Sequence, residues 1–195
     1  MKPEILFVHG FMSGVQSSKW LHLQTLSDRY TVNLFEVDYR AEPPEWILDR
    51  LIERVRRLDD LEAVVVAHSL GCFFTRLAQL RLRGFSSILL NPSFKPSSTL
   101  FKGGERSMPA AFQAQYEQLE QEVGRRVGSR DGPETVLIEL GDEVVDQRAQ
   151  LHFFEQSALM TLEGGGHSFE AFDVLNQHIE RCINMSFMFG APSGE

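Results

Sequence analysis

The sequence predicts a single α/β domain on a mostly parallel, six-stranded sheet with helices on both faces. Three observations lead there. Short runs rich in Val, Ile and Leu alternate with longer segments whose apolar residues recur every three or four positions. The short runs are almost free of polar residues, as in strands covered on both faces. The chain has 195 residues, 43% hydrophobic and 24% charged, the size and composition of one globular domain with a substantial core.

The elements follow in order. Residues 5–8 form the first apolar run, ended by His9-Gly10, and residues 32–37 the second. Pro44 suits the first turn of a helix over 44–58, where Leu48, Leu51, Ile52, Val55 and Leu58 share one face. Residues 63–67, around Val64-Val65-Val66, are a third strand, and 70–83 a helix stopped by Gly84. Residues 87–90 make a fourth strand, closed by Asn91-Pro92. Phe112, Tyr116, Leu119, Val123 and Val127 are spaced as one face of a helix. A fifth strand, 135–140, ends at Gly141, and a weaker sixth spans 158–162. Phe169, Phe172, Leu175, Ile179 and Ile183 mark a last helix. Such alternation implies parallel pairing through right-handed crossovers. Residues 93–133 break the rhythm. An insertion beyond a strand's C-terminal end is expected over the edge where such sheets bind ligands, so it reads as a small cap within one domain, 1–195.

A net charge of −8 argues against a nucleic-acid partner. Cys72 and Cys182 lie outside any metal-binding spacing and read as free thiols of a reducing compartment. The N-terminal apolar run is too short for a secretory signal or a membrane span. These features lead to the expectation of a cytoplasmic protein with no metal, no cofactor and no membrane partner.

Four motifs carry chemistry. Val66-Ala67-His68-Ser69-Leu70-Gly71 joins a buried strand to a helix, the context of a nucleophile elbow, with small residues two places either side of Ser69. An acyl-transfer nucleophile needs two N–H donors for the oxyanion. The backbone of Leu70 offers one, and Phe11, in the Gly-containing loop after the first strand, is the best placed for the other. Leu140-Gly141-Asp142-Glu143-Val144-Val145-Asp146 follows the fifth strand and supplies a carboxylate to orient a histidine. Asp142 is the first candidate, Asp146 the second, with helix capping as its other role, and Glu143 the third. Glu163-Gly164-Gly165-Gly166-His167 follows the sixth strand, where three glycines permit a sharply bent loop carrying His167 as base. The order Ser, Asp, His is that of the α/β-hydrolases. His9 and His68 are expected to support their own turns. Phe94, Phe101, Met108, Phe112 and Tyr116 are candidates to line an acyl pocket, or to pack the cap.

Several of these segments resemble one family. His9-Gly10-Phe11-Met12-Ser13 resembles the H-G-F-x-S opening of the small bacterial YqiA/YcfP-like esterases, and Asn91-Pro92-Ser93 their N-P-[AS] segment. Residues 141–148, G-D-E-V-V-D-Q-R, are similar to their G-D-E-V-L-D-Y-R. Residues 163–172, E-G-G-G-H-S-F-E-A-F, are similar to their E-G-G-x-H-x-F-x-x-F. The resemblance implies a compact α/β-hydrolase acting on short acyl esters and acyl thioesters. It implies Ser69 as nucleophile and His167 as base, with the acid between Asp142 and Asp146 left open. His68, where members carry a small residue, and the tail after Cys182 depart from the pattern.

The expectation is therefore an ester hydrolase working through an acyl-enzyme on Ser69. A catalytically silent binding protein of the same fold and an acyltransferase are the alternatives.

Overall fold

The computed structural model describes residues 2–58, 62–82, 84–103, 107–123 and 133–189. Six strands form one sheet: β1 (Glu4–Val8), β2 (Thr31–Phe35), β3 (Ala63–His68), β4 (Ser86–Leu90), β5 (Glu134–Glu139) and β6 (Ala158–Leu162). Their order is β2-β1-β3-β4-β5-β6, and every neighbouring pair is parallel. The strand number and the parallel pairing agree with the sequence reading.

Seven α-helices are described: α1 (Ser18–Gln24), α2 (Pro44–Val55), α3 (Leu70–Arg81), α4 (Pro96–Thr99), α5 (Gln113–Val123), α6 (Gln147–Gln150) and α7 (Phe172–Phe189). The period-two alternation of the strands divides the core into two layers. Leu6, Val8, Val65, Ala67, Leu89, Val136 and Ile138 face one way and pack with α2, α3 and α5. Ile5, Phe7, Val64, Val66, Ile88, Leu90 and Leu137 face the other way, against Leu23 of α1 and Leu175, Ile179 and Ile183 of α7. In α2 the buried residues Pro44, Ile47, Leu48, Leu51, Ile52 and Val55 form one stripe at helical spacing.

Three departures from the sequence expectations have physical causes. α1 escapes the apolar-period criterion because its buried residues are Lys19 and Leu23. α7 starts at Phe172 and not Phe169, because buried Phe169 adopts a positive φ of 48° and turns the chain back. The helix of segment 93–133 extends the α2–α3 layer: α5 packs on both helices and buries Tyr116, Leu119 and Val123 in the shared core. Val127, part of the expected helix, lies outside the described residues. Among the described residues no helix is long and apolar enough to cross a membrane.

Candidate active site

The segments that follow β1, β3, β4, β5 and β6 carry Ser69, Asp142 and His167 together with the residues that hold their turns. Ser69 lies between β3 and α3 with φ 51° and ψ −117°. A non-glycine residue in that region carries strain of order 1–3 kcal/mol and persists only when its surroundings impose it. They do so here. Ser69 N–H donates to Leu90 O at 3.0 Å, and Ser69 O accepts from Cys72 N at 3.0 Å and Ser93 N at 3.2 Å. The turn leaves the residue 7% exposed.

Glycine is required at Gly71 because the backbone of β1 crosses close to it. A Cβ there would lie 2.3 Å from Val8 O and 2.7 Å from His9 O. The elbow helix therefore starts hard against the end of β1. Gly10 stands on the other side, where a Cβ would lie 3.0 Å from Ser69 Cβ. Phe11 and Leu70 thus flank the Ser69 turn. Among the described residues neither N–H has an acceptor.

His9 supports its loop. Its Nδ1–H donates to Gly10 O at 2.8 Å, Nε2 accepts from Val37 N at 3.4 Å, and Tyr39 O–H donates to His9 O at 2.6 Å. Burial holds its imidazole below the ordinary value, against weaker opposing contributions from Gly10 O and Glu36.

Asp142 and His167 meet. His167 Nδ1–H donates to the Asp142 carboxylate at 2.9 and 3.0 Å. That carboxylate is fully buried and also accepts from Val144 N and Val145 N at 2.9 Å and from Gln147 Nε2 at 2.8 Å. Burial pushes its pKa up, but the bonds from His167, Gln147 and Val145 outweigh burial and leave it below the usual carboxylate value. Asp146 is elsewhere: exposed, it caps α6 by accepting from Ala149 N at 3.1 Å. Glu143 accepts from His167 N at 3.1 Å and so touches the loop backbone, not the imidazole. Among the described residues Ser69 Oγ makes no hydrogen bond to His167. Such bonds are often long without substrate.

His68, the residue that departs from the family pattern, fastens the histidine loop to the elbow. Its Nε2–H donates to His167 O at 2.7 Å, and the two rings lie 5.2 Å apart. Burial, reinforced by the charge of Lys19, lowers its pKa to about 3, so the ring is neutral. Four further residues entered no motif by role, and only the folded geometry reveals them. Asn91, at φ 42°, donates from Nδ2 to Gly166 O at 2.8 Å and accepts Glu139 N at 2.8 Å. Gln147 steadies Asp142. Buried Glu139 and Lys19 hold other parts of the histidine loop.

The acyl-pocket candidates separate. Phe94 stacks edge-on with Phe153 and lies under the Arg76 guanidinium, while Tyr116 packs on Phe73, Phe74 and Phe101. Both are wholly buried and Met108 nearly so, so they offer a substrate no surface as they stand. Phe101 and Phe112 remain half-buried. No group of three or more His, Cys, Asp or Glu could hold a metal among the described residues.

The chain matches the model of the Uncharacterised protein family (UPF0227) over residues 4–186 and belongs to that family, the YqiA-like family its motifs resemble. No curated protein matches its sequence significantly. Solved structures share the fold. Est1E from Butyrivibrio proteoclasticus is 14% identical, with a TM-score of 0.73 over 96% of this chain and 89% of its own. Alpha/beta hydrolase domain-containing protein 10 from mouse is 12% identical, with a TM-score of 0.74 over 95% and 91%. A structure from work on carboxylesterases of Nitrososphaera gargenis is 13% identical, with a TM-score of 0.68 over 94% and 92%.

Proposed function

We propose that this family member is a serine hydrolase that cleaves carboxylic esters through an acyl-enzyme on Ser69. The observation that carries the reading is the strained turn at Ser69, flanked by the unengaged N–H groups of Phe11 and Leu70. A fold gains nothing in stability from a serine at φ 51°. A hydroxyl set at the head of a helix, beside those two N–H donors, is what that strain supports.

In this mechanism His167 Nε2 takes the Ser69 proton as Oγ bonds to the acyl carbon. The Phe11 and Leu70 N–H groups stabilise the oxyanion. His167 then protonates the leaving alcohol as its bond to carbon breaks. Water, deprotonated by the same nitrogen, releases the acid and restores Ser69. Asp142 keeps the proton on Nδ1, so that Nε2 is the free base. Its bond to His167 supports that assignment over Asp146. Phe101 and Phe112 are the aromatic residues of segment 93–133 proposed to meet the acyl group. The substrate is a small ester, and acyl thioesters fall within the same chemistry. The ester-cleaving names among the fold neighbours agree with this reading.

The missing Ser69–His167 hydrogen bond is the observation that favours a silent binding protein instead. Turnover of 4-nitrophenyl butyrate, lost in Ser69→Ala, is expected. No turnover of any ester or thioester in a chain-length panel, by folded protein, would reject hydrolysis.

A further inference from the structure

The histidine loop has no regular secondary structure, yet its backbone polar groups are held by side chains from several elements. One of these carries most of the load. Glu139, the last residue of β5, is 4% exposed. Its carboxylate accepts three backbone N–H groups: Gly166 at 2.9 Å, Glu170 at 3.0 Å and Ala171 at 3.2 Å. These donors bracket His167 on both sides. Gly165 of the loop is packed directly on this group. A Cβ on Gly165, at φ 68°, would lie 2.3 Å from Glu139 Cδ, and one on Gly141 would lie 2.5 Å from Gly165 O. Gly165 is thus pressed against a buried carboxylate, with no room for a side chain.

A second buried charge, Lys19 of α1, holds the same loop at another point. Its ammonium donates to Ser168 O at 2.5 Å. Burial lowers its pKa, and the charges of Glu170 and Glu139 oppose that shift. Cation and anion each bond the loop backbone, Lys19 at the Ser168 carbonyl and Glu139 at three amides.

We propose that Glu139, with Lys19 holding the Ser168 carbonyl of the same loop, is the positioning residue that sets His167 against Ser69 and Asp142. The proposal rests on the serine-hydrolase reading, and it acts through the loop, since neither side chain reaches the substrate site. A rigid loop matters because displacement of a reacting group by about 1 Å can cost on the order of 100-fold in rate.

Glu139→Gln preserves size and removes the charge. The comparison variant is Glu134→Gln at the opposite end of β5, another buried carboxylate, paired with Arg76 away from the site. Steady-state kinetics on 4-nitrophenyl butyrate, melting and amide exchange are measured on both. In Glu139→Gln, kcat is expected to fall ten- to hundredfold with KM within about twofold, as lost positioning predicts. Exchange should accelerate at Gly166, Glu170 and Ala171. Glu134→Gln is expected to melt lower while kcat stays within about twofold. Near-wild-type kcat in folded Glu139→Gln overturns the proposal while leaving the hydrolase reading intact. An equal kcat loss in the two variants also overturns it, because general destabilisation would then suffice.

Wild-type protein gives an arm independent of both activity and mutant folding. The Gly166, Glu170 and Ala171 amides should exchange far more slowly than those of Gly165 and Ser168, which have no acceptor among the described residues. Equal exchange would overturn the clasp even if the protein hydrolyses nothing.

Discussion

Replacing Gly71 by alanine adds one methyl group at the most crowded point of the elbow. Its nearest neighbour would be Val8 O at 2.3 Å, against an ordinary contact of at least 3.4 Å, so roughly 1.1 Å of movement is needed. Neither side yields easily. Val8 is held in the sheet between β2 and β3, and α3 is buried almost all round. Overpacking of this kind costs about 1–3 kcal/mol, which for a domain of this length corresponds to a melting temperature lower by roughly 2–12 °C. The movement also separates the Leu70 and Phe11 N–H groups, so kcat/KM should fall by about two orders of magnitude. Gly10→Ala is the graded comparison, because its closest contacts of 3.0–3.2 Å demand only a few tenths of an ångström. Gly103→Ala is the control. Its site is open, and only its φ of 82° is penalised, so activity should be unchanged. Differential scanning calorimetry and ester kinetics on the three variants give the ranking. Gly71→Ala with unchanged melting and kcat/KM within twofold of wild type would refute the reasoning.

Asp142→Asn should lower kcat by about 10³–10⁴-fold, because an amide donating to His167 favours the wrong tautomer. Asp146→Ala should cost only about 1 kcal/mol as a lost cap and leave kcat within a few-fold; the reverse order in stopped-flow assays would move the acid to Asp146. Arg76→Met leaves Glu134 buried without its guanidinium partner and should destabilise by about 3–5 kcal/mol, read by urea denaturation; an unchanged midpoint would argue against that ion pair. The folded protein keeps His68 neutral down to about 3, whereas the unfolded chain protonates it near 6.5. Stability is therefore expected to fall as pH drops through that window, by no more than about 1.4 kcal/mol per pH unit. His68→Gln should flatten the acid limb of a melting-temperature profile, and an equally steep limb would contradict the assignment.

The parts of the fold visible in the sequence are those whose signal is local. Val64-Val65-Val66 reads as a strand because a central parallel strand is apolar on both faces, and α2 reads as a helix because one stripe of it is buried. The motif positions of Ser69, Asp142 and His167 are visible because each follows a strand, and parallel strands bring those ends to one edge. What escaped depends on contacts between distant segments. Nothing near Glu139 in the chain marks it as the acceptor of amides some thirty residues on. A lysine in a short amphipathic stretch reads as exposed, so Lys19 hid α1. For Phe94 and Tyr116 the sequence left pocket and packing both open, because aromatic composition cannot distinguish a wall from a core. His68 was expected to serve its own turn, but its ring reaches across to bond the His167 carbonyl, ninety-nine residues on.

The acyl-enzyme on Ser69 is tested most directly by acid-quenching the protein during turnover of 4-nitrophenyl butyrate and mapping the adduct by peptide mass spectrometry. The account predicts a single butyryl group on the peptide containing Ser69, present in wild type and absent in Ser69→Ala. Turnover by the wild type with no adduct on that peptide, or with the butyryl group on another residue, would contradict it.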